Sequence, residues 1–150
     1  MENIHYLSPF ESLPFPMTLH RINKYYLGYD EIHLESGEKL YDHLMSPLNT
    51  FFMVVKSHKY ERLNIKLNDI VVIERKCLKY DGPAVVIIDN DLQIKTIQHN
   101  RDFCTISIEE SGTELIDGKD FNYWGTITYT LRSDERQWLL NKSYELFEIN

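Results

Sequence analysis

VVKSHKYERLNIKLNDIVVIERK, from Val54 to Lys76, sets two short apolar runs around a polar link. With the residues just before it, the runs read FFMVVK (51–56) and DIVVIER (69–75). Both are rich in Val, Ile and Phe and too short for ordinary helices, so both read as β-strands. The link contains no glycine. It carries Lys56, Lys59, Arg62 and Lys66, interrupted by Glu61. Asn68 stands just before the second run, and Asn tolerates a left-handed turn better than any residue but glycine.

The same pattern continues outward. Strands are expected near 50–56, 69–76, 83–88, 92–98, 103–108 and 123–131. DND at 89–91 separates AVVII from LQIKTI and reads as the tight turn of a β-hairpin. YWGTITYTLR alternates: Tyr123, Gly125, Ile127, Tyr129 and Leu131 share one face, and Trp124, Thr126, Thr128 and Thr130 share the other. An apolar edge beside this strand would invite a symmetric partner strand, hence a dimer. SGEKLYDHLMSP reads as a short helix, capped by Ser36, with Leu40 and Leu44 on one side and Pro47 as its stop. Pro9, Pro14 and Pro16 make the N-terminus an extended arm. SDERQWLLNKSYELFEIN reads as an amphipathic helix, capped by Ser133 or Asp134 and packing through Trp138, Leu139, Tyr144 and Phe147. The organisation expected is an extended arm over 1–35, a β core over 36–132 and a helical extension over 133–150.

Composition bounds the function. A chain of 150 residues with 43% hydrophobic and 26% charged residues suits one globular domain. Its net charge of −7 argues against an unaided grip on DNA, which needs clustered Lys and Arg. No apolar run has the length of a membrane span, and the N-terminus lacks the pattern of a secretory signal. Cys77 and Cys104 are then expected as reduced thiols in a cytoplasm. Neither Cys-x-x-Cys nor His-Glu-x-x-His occurs, so neither a metal nor another cofactor is expected. The six histidines are dispersed and read as surface or hydrogen-bonded residues. Tyr25, Tyr26 and Tyr29 read as arm residues lying on the sheet, or as a patch for a partner.

The order of these parts resembles the LexA/UmuD family of self-cleaving serine–lysine peptidases, from about Glu38 to Arg132. EKLYDHLMSPLNTFFMVVK is similar to the segment in which a short helix enters the first core strand. LNDIVVIE resembles the family's Gly-Asp and apolar strand, with Asn68 in place of the glycine. DNDLQIKTI resembles the hairpin that carries the catalytic lysine, which puts Lys95 at that position. DFNYWGTITYTLR resembles the last strand. The resemblance implies mainly β architecture, with coiled LexA/signal-peptidase-like sheets, a short helix and a C-terminal helix. It also implies a cytoplasmic bacterial homodimer in the DNA-damage (SOS) response, with a translesion polymerase or the RecA filament as partner.

The family's chemistry needs a serine beside a lysine kept neutral by burial, an oxyanion donor and a cleavable bond. Here the serine position falls on Glu61, followed by Arg62, and Tyr60 is the adjacent alternative. Ser57 is the nearby serine, placed directly after the strand. The family's Ala-Gly or Cys-Gly cleavage bond is missing: Ala84, Cys77 and Cys104 are not followed by glycine. Lys95 reads as a solvated strand charge or as the partner of Glu61 in an ion pair. The expectation is therefore an inactive UmuD-like accessory or regulatory protein that acts by binding proteins. One alternative is an active self-peptidase using Ser57 and Lys95. The other is a phage or mobile-element interaction module that keeps only the fold.

Overall fold

The computed structural model describes residues 12–13, 15–26, 28–44, 47–76, 80–100, 102–108, 110–133 and 147–150. The chain is mainly β. In order the strands are β1 (Met17–Arg21), β2 (Glu31–Leu34), β3 (Thr50–Val55), β4 (Ile70–Glu74) and β5 (Gly82–Ile88). They continue with β6 (Asp91–Asn100), β7 (Phe103–Ile108), β8 (Thr113–Ile116), β9 (Asn122–Ser133) and β10 (Phe147–Ile149). Among the described residues no helix is long and apolar enough to cross a membrane.

The sheet runs β10-β3-β4-β9-β5-β6-β7-β8, with β1 and β2 branching from β9. Strand β9 organises it. One edge of β9 pairs with β4 over Thr126–Leu131. The other edge pairs with β5 over Asn122–Thr126 and with β1 over Tyr129–Ser133. Strand β9 is therefore flanked on both sides over much of its length, by β4 on one and by β5 and β1 on the other.

The apolar run of β4 follows from its place. Ile70 and Val72 enter one core cluster with Leu19, Leu34, Phe52, Tyr129 and Leu131. Val71 and Ile73 enter a second cluster with Met53, Val55, Val85, Ile94 and Ile127. A strand buried on both faces needs an unbroken apolar run. A third cluster, around Ala84, Val86, Ile97 and Phe121, packs beyond β5.

Several elements differ from the sequence expectation. Residues 17–34, expected within an extended arm, supply β1 and β2, which pair antiparallel. The register of β4 on β9 shifts between Val72↔Tyr129 and Ile73↔Ile127, which leaves Thr128 as an extra residue. A bulge of this kind reverses the alternation. Ile127 thus joins the second cluster while Tyr129 and Leu131 join the first, although alternation alone put all three on one face.

The expected helix over 36–47 is one 3₁₀ turn, Leu40–His43, followed by another at Pro47–Asn49. Gly37 lies at φ 91, outside helical space, and Ser36 Oγ donates to the Leu13 carbonyl instead of capping a helix. The expected helix over 133–150 fails at both ends: Ser133 closes β9 and Phe147–Ile149 form β10. Its middle, with Trp138, Leu139 and Tyr144, lies outside the described residues, as do Cys77 and Pro9.

Candidate functional site

The polar link between β3 and β4 is built by local hydrogen bonds. Ser57 Oγ accepts from the Lys59 backbone N–H at 3.1 Å. Tyr60 then opens a 3₁₀ turn over Glu61–Leu63, which Asn64 ends in the left-handed region at φ 59. Asn68 takes φ 69, the left-handed turn its side chain tolerates. Its N–H donates to the Val55 carbonyl at 2.7 Å, and Val55 N–H donates to the Asp69 carbonyl at 2.9 Å. The link therefore leaves β3 and returns beside it, with Lys56 Nζ donating to Asn68 Oδ1 at 3.1 Å.

Among the described residues no hydrogen bond or ion pair joins Ser57, Glu61 and Lys95, the residues singled out from the sequence. Glu61 is exposed, and its carboxylate lies 2.8 Å from His58 Nδ1, itself on the surface. No ion pair joins Glu61 to Lys95 among the described residues; of the two readings of Lys95, the pair with Glu61 is absent there, and Glu61 meets His58. Lys95 lies on β6 opposite Ala84, half-buried. Its neighbour Ile94 packs into the second core cluster with Tyr60. Strand alternation turns Lys95 to the other face. Ser57, half-buried, keeps its hydroxyl on the Lys59 amide.

Tyr60, the alternative at the serine position, is buried at 9% exposure. Burial pushes its phenol above the usual range, opposed by the Ile94 backbone amide. The hydroxyl donates to the Asn150 carbonyl at 2.9 Å. Ile149 lies fully buried beside it, among Met53, Val55 and Ile65. The pocket next to the link is thus filled by the C-terminal strand.

A charged cluster holds the link to the rest of the sheet. Arg132 on β9 donates to buried Asp69 twice, through Nε to Oδ1 at 2.8 Å and through Nη2 to Oδ2 at 2.7 Å. The same Nη2 reaches the Asn64 carbonyl at 3.2 Å. Asp69 Oδ2 also accepts from Lys66 N–H at 2.8 Å. On the far side, Arg132 Nη1 lies 3.4 Å from His20 Nε2. Burial, with Arg132 beside it, lowers the His20 pKa against the pull of Glu31 and Asp69. A neutral imidazole fits this place, accepting from Arg132 at Nε2 and donating from Nδ1 to Glu31 Oε2 at 3.2 Å. Glu31 also meets His33 Nε2 at 3.1 Å. Link, β9, β1 and β2 are thus joined by one chain of charged and polar contacts. Sequence reasoning missed it, because nothing local marks His20, Glu31, Asp69 and Arg132 as neighbours.

A second feature surrounds the β1–β2 connection. Tyr26 is buried, edge-on to Tyr129 at 5.9 Å and to Tyr80 at 6.2 Å. Burial, with Tyr129 beside it, pushes its phenol up to about 12. Tyr129 Oη accepts from Tyr29 N–H at 3.2 Å. A Cβ on Gly28 would overlap that hydroxyl, which explains the glycine. Tyr25, Tyr29 and Tyr41 remain exposed at 52%, 48% and 41%. The ring of Tyr29 meets that of His43 edge-on at 6.4 Å. Of Tyr25, Tyr26 and Tyr29, read as arm packing or as a patch for a partner, Tyr26 is buried while Tyr25 and Tyr29 are exposed.

Among the described residues no group of three or more His, Cys, Asp or Glu is placed to hold a metal ion. No family model, no curated protein and no solved structure matches this chain.

Proposed function

We propose that this chain is a protein-binding module, an accessory or regulatory protein that acts without catalysis. The observation that carries this reading is the exposure of three tyrosines, Tyr25 and Tyr29 in the β1–β2 connection and Tyr41 in the 3₁₀ turn Leu40–His43. Tyrosine is enriched at protein interfaces because its rigid ring gives apolar area and its hydroxyl stays wet. The backbone beneath is held: Tyr29 N–H is bound by Tyr129, and Tyr26 is wedged between Tyr80 and Tyr129. Tyr29 is therefore presented from a backbone held by Tyr129, which lowers the ordering cost of binding through its ring.

Glu61 at the place of the resembled serine supports the loss of self-cleavage. The resemblance to LexA and UmuD supports a cytoplasmic homodimer in the bacterial DNA-damage response, with a translesion polymerase or the RecA filament as partner. Surface plasmon resonance with each partner tests this, RecA being assembled on single-stranded DNA with ATP. Wild-type protein binds one of them, and Tyr25→Ser/Tyr29→Ser weakens binding at least tenfold with an unchanged circular dichroism spectrum. Folded wild-type protein that binds neither refutes the partner assignment. Mass spectrometry after incubation at pH 10 tests the loss of catalysis. A discrete N-terminal fragment, abolished by Lys95→Ala, would restore the self-peptidase.

A further inference from the structure

β3 would be an edge strand of the sheet were it not for β10. That cover is small. It pairs in parallel through Phe147↔Met53, Glu148↔Val54 and Ile149↔Val55. Parallel pairing is the weaker kind per residue. Beyond this ladder, Lys56 N–H donates to the Ile149 carbonyl at 2.8 Å and the Tyr60 hydroxyl donates to the Asn150 carbonyl at 2.9 Å. These bonds go to main-chain atoms, which any extended peptide offers. Selectivity falls on the pocket of Met53, Val55, Tyr60 and Ile65, where Ile149 is fully buried. Glu148 stays exposed. The neighbouring link carries Lys56, Lys59, Arg62 and Lys66 against Glu61, a positive balance that suits an acidic ligand.

We propose that this edge of β3 is a docking groove for an extended, acidic segment of a partner protein, and that β10 occupies it as an internal competitor. The segment adds as a parallel strand, seats an aliphatic side chain in the Ile149 pocket, and offers the next carbonyl to Tyr60. Main-chain bonds supply affinity and one pocket supplies register, the general mode of strand addition. A partner fits this better than a second copy, because a second copy offers only the same β10 strand, which the chain's own tethered β10 outcompetes at identical contacts. The proposal rests on the reading of the chain as a protein-binding module and names a second surface for it.

The test uses the full chain and a labelled hexapeptide, ELFEIN, matching residues 145–150, read by fluorescence anisotropy. Ile149→Asp expels β10 from the pocket and frees the groove. The variant is expected to bind the peptide at least tenfold more tightly than wild type. ELFEDN is expected not to bind, and adding Tyr60→Phe to the variant is expected to weaken binding severalfold. A folded Ile149→Asp protein that fails to bind, or binds no better than wild type, overturns the groove. That result leaves the tyrosine-surface measurement untouched. If Ile149→Asp does not fold, Ile149→Ala replaces it, since it leaves a cavity and not a buried charge. Light scattering separates the remaining case: a wild-type dimer that Ile149→Asp dissociates shows a second copy as the occupant and overturns the partner assignment.

Discussion

Arg132→Met removes the charge that balances Asp69 while keeping most of the apolar stem. Asp69 has a side chain 2% exposed and cannot turn to water. Without Arg132 it keeps the Lys66 N–H and loses both charge-assisted bonds. The Asn64 carbonyl and His20 lose their contacts with Arg132 as well. Breaking one side of a buried pair costs about 3–5 kcal/mol, because a charge is left uncompensated. A domain has a stability of roughly 5–15 kcal/mol, so the loss is a large share of the total and the variant is strongly weakened. At about 2–4 °C per kcal/mol, the melting temperature is expected to fall by roughly 6–20 °C. Urea titration followed by circular dichroism measures the loss directly. Hydrogen exchange locates it, with the Lys66 and Asn68 amides losing protection first. Adding Asp69→Asn should recover part of the loss, because Asn keeps an acceptor for Lys66 N–H and carries no charge. A loss below about 1 kcal/mol for Arg132→Met refutes the idea that this pair fixes the link. So does a double variant weaker than the single one.

Burial raises the Glu74 pKa against the Lys76 amide, the Thr50 hydroxyl and the Lys76 charge. With the folded value above the unfolded one, its contribution is fully present below the unfolded pKa and is lost as pH rises through the folded value. Melting curves between about pH 4 and 7 should therefore show Glu74→Gln gaining on wild type as pH rises, and a constant gap refutes this. Gly28→Ala places a methyl group against the Tyr129 hydroxyl and should cost about 1–3 kcal/mol by urea titration, with partial recovery when Tyr129→Phe is added. With a net charge of −7 the protein alone should not bind single-stranded or duplex oligonucleotides below micromolar at about 150 mM salt. Fluorescence anisotropy decides this, and tight binding that collapses with added salt counts against the charge argument.

Residues acting on their nearest neighbours were legible from the sequence. The apolar runs at 51–55 and 70–73 are strands. Asp89 and Asn90 form the two-residue hairpin turn at φ 52 and 66, a conformation open to few residues but these. Asn68 turns left-handed for the same reason. A strand's face pattern and a turn's positive φ are set within a few residues, so they can be read along the chain.

What depends on distant partners could be decided only by the folded chain. Arg132 and Asp69 are 63 residues apart in sequence, and their pairing follows from the register of β9 on β4. The bulge at Thr128 reversed the expected faces of β9 through that same register. Phe147–Ile149 fits a helical pattern when read alone and becomes a strand because β3 offers it an edge and an apolar pocket. The sequence by itself determined a β-rich chain with a polar link between its apolar runs at 51–55 and 70–73. The tertiary structure decided that Glu61 faces His58, that Lys95 turns away from Tyr60, and that β10 fills the place beside them. Alternation and turn chemistry are local, whereas strand pairing joins segments whose proximity no short pattern encodes.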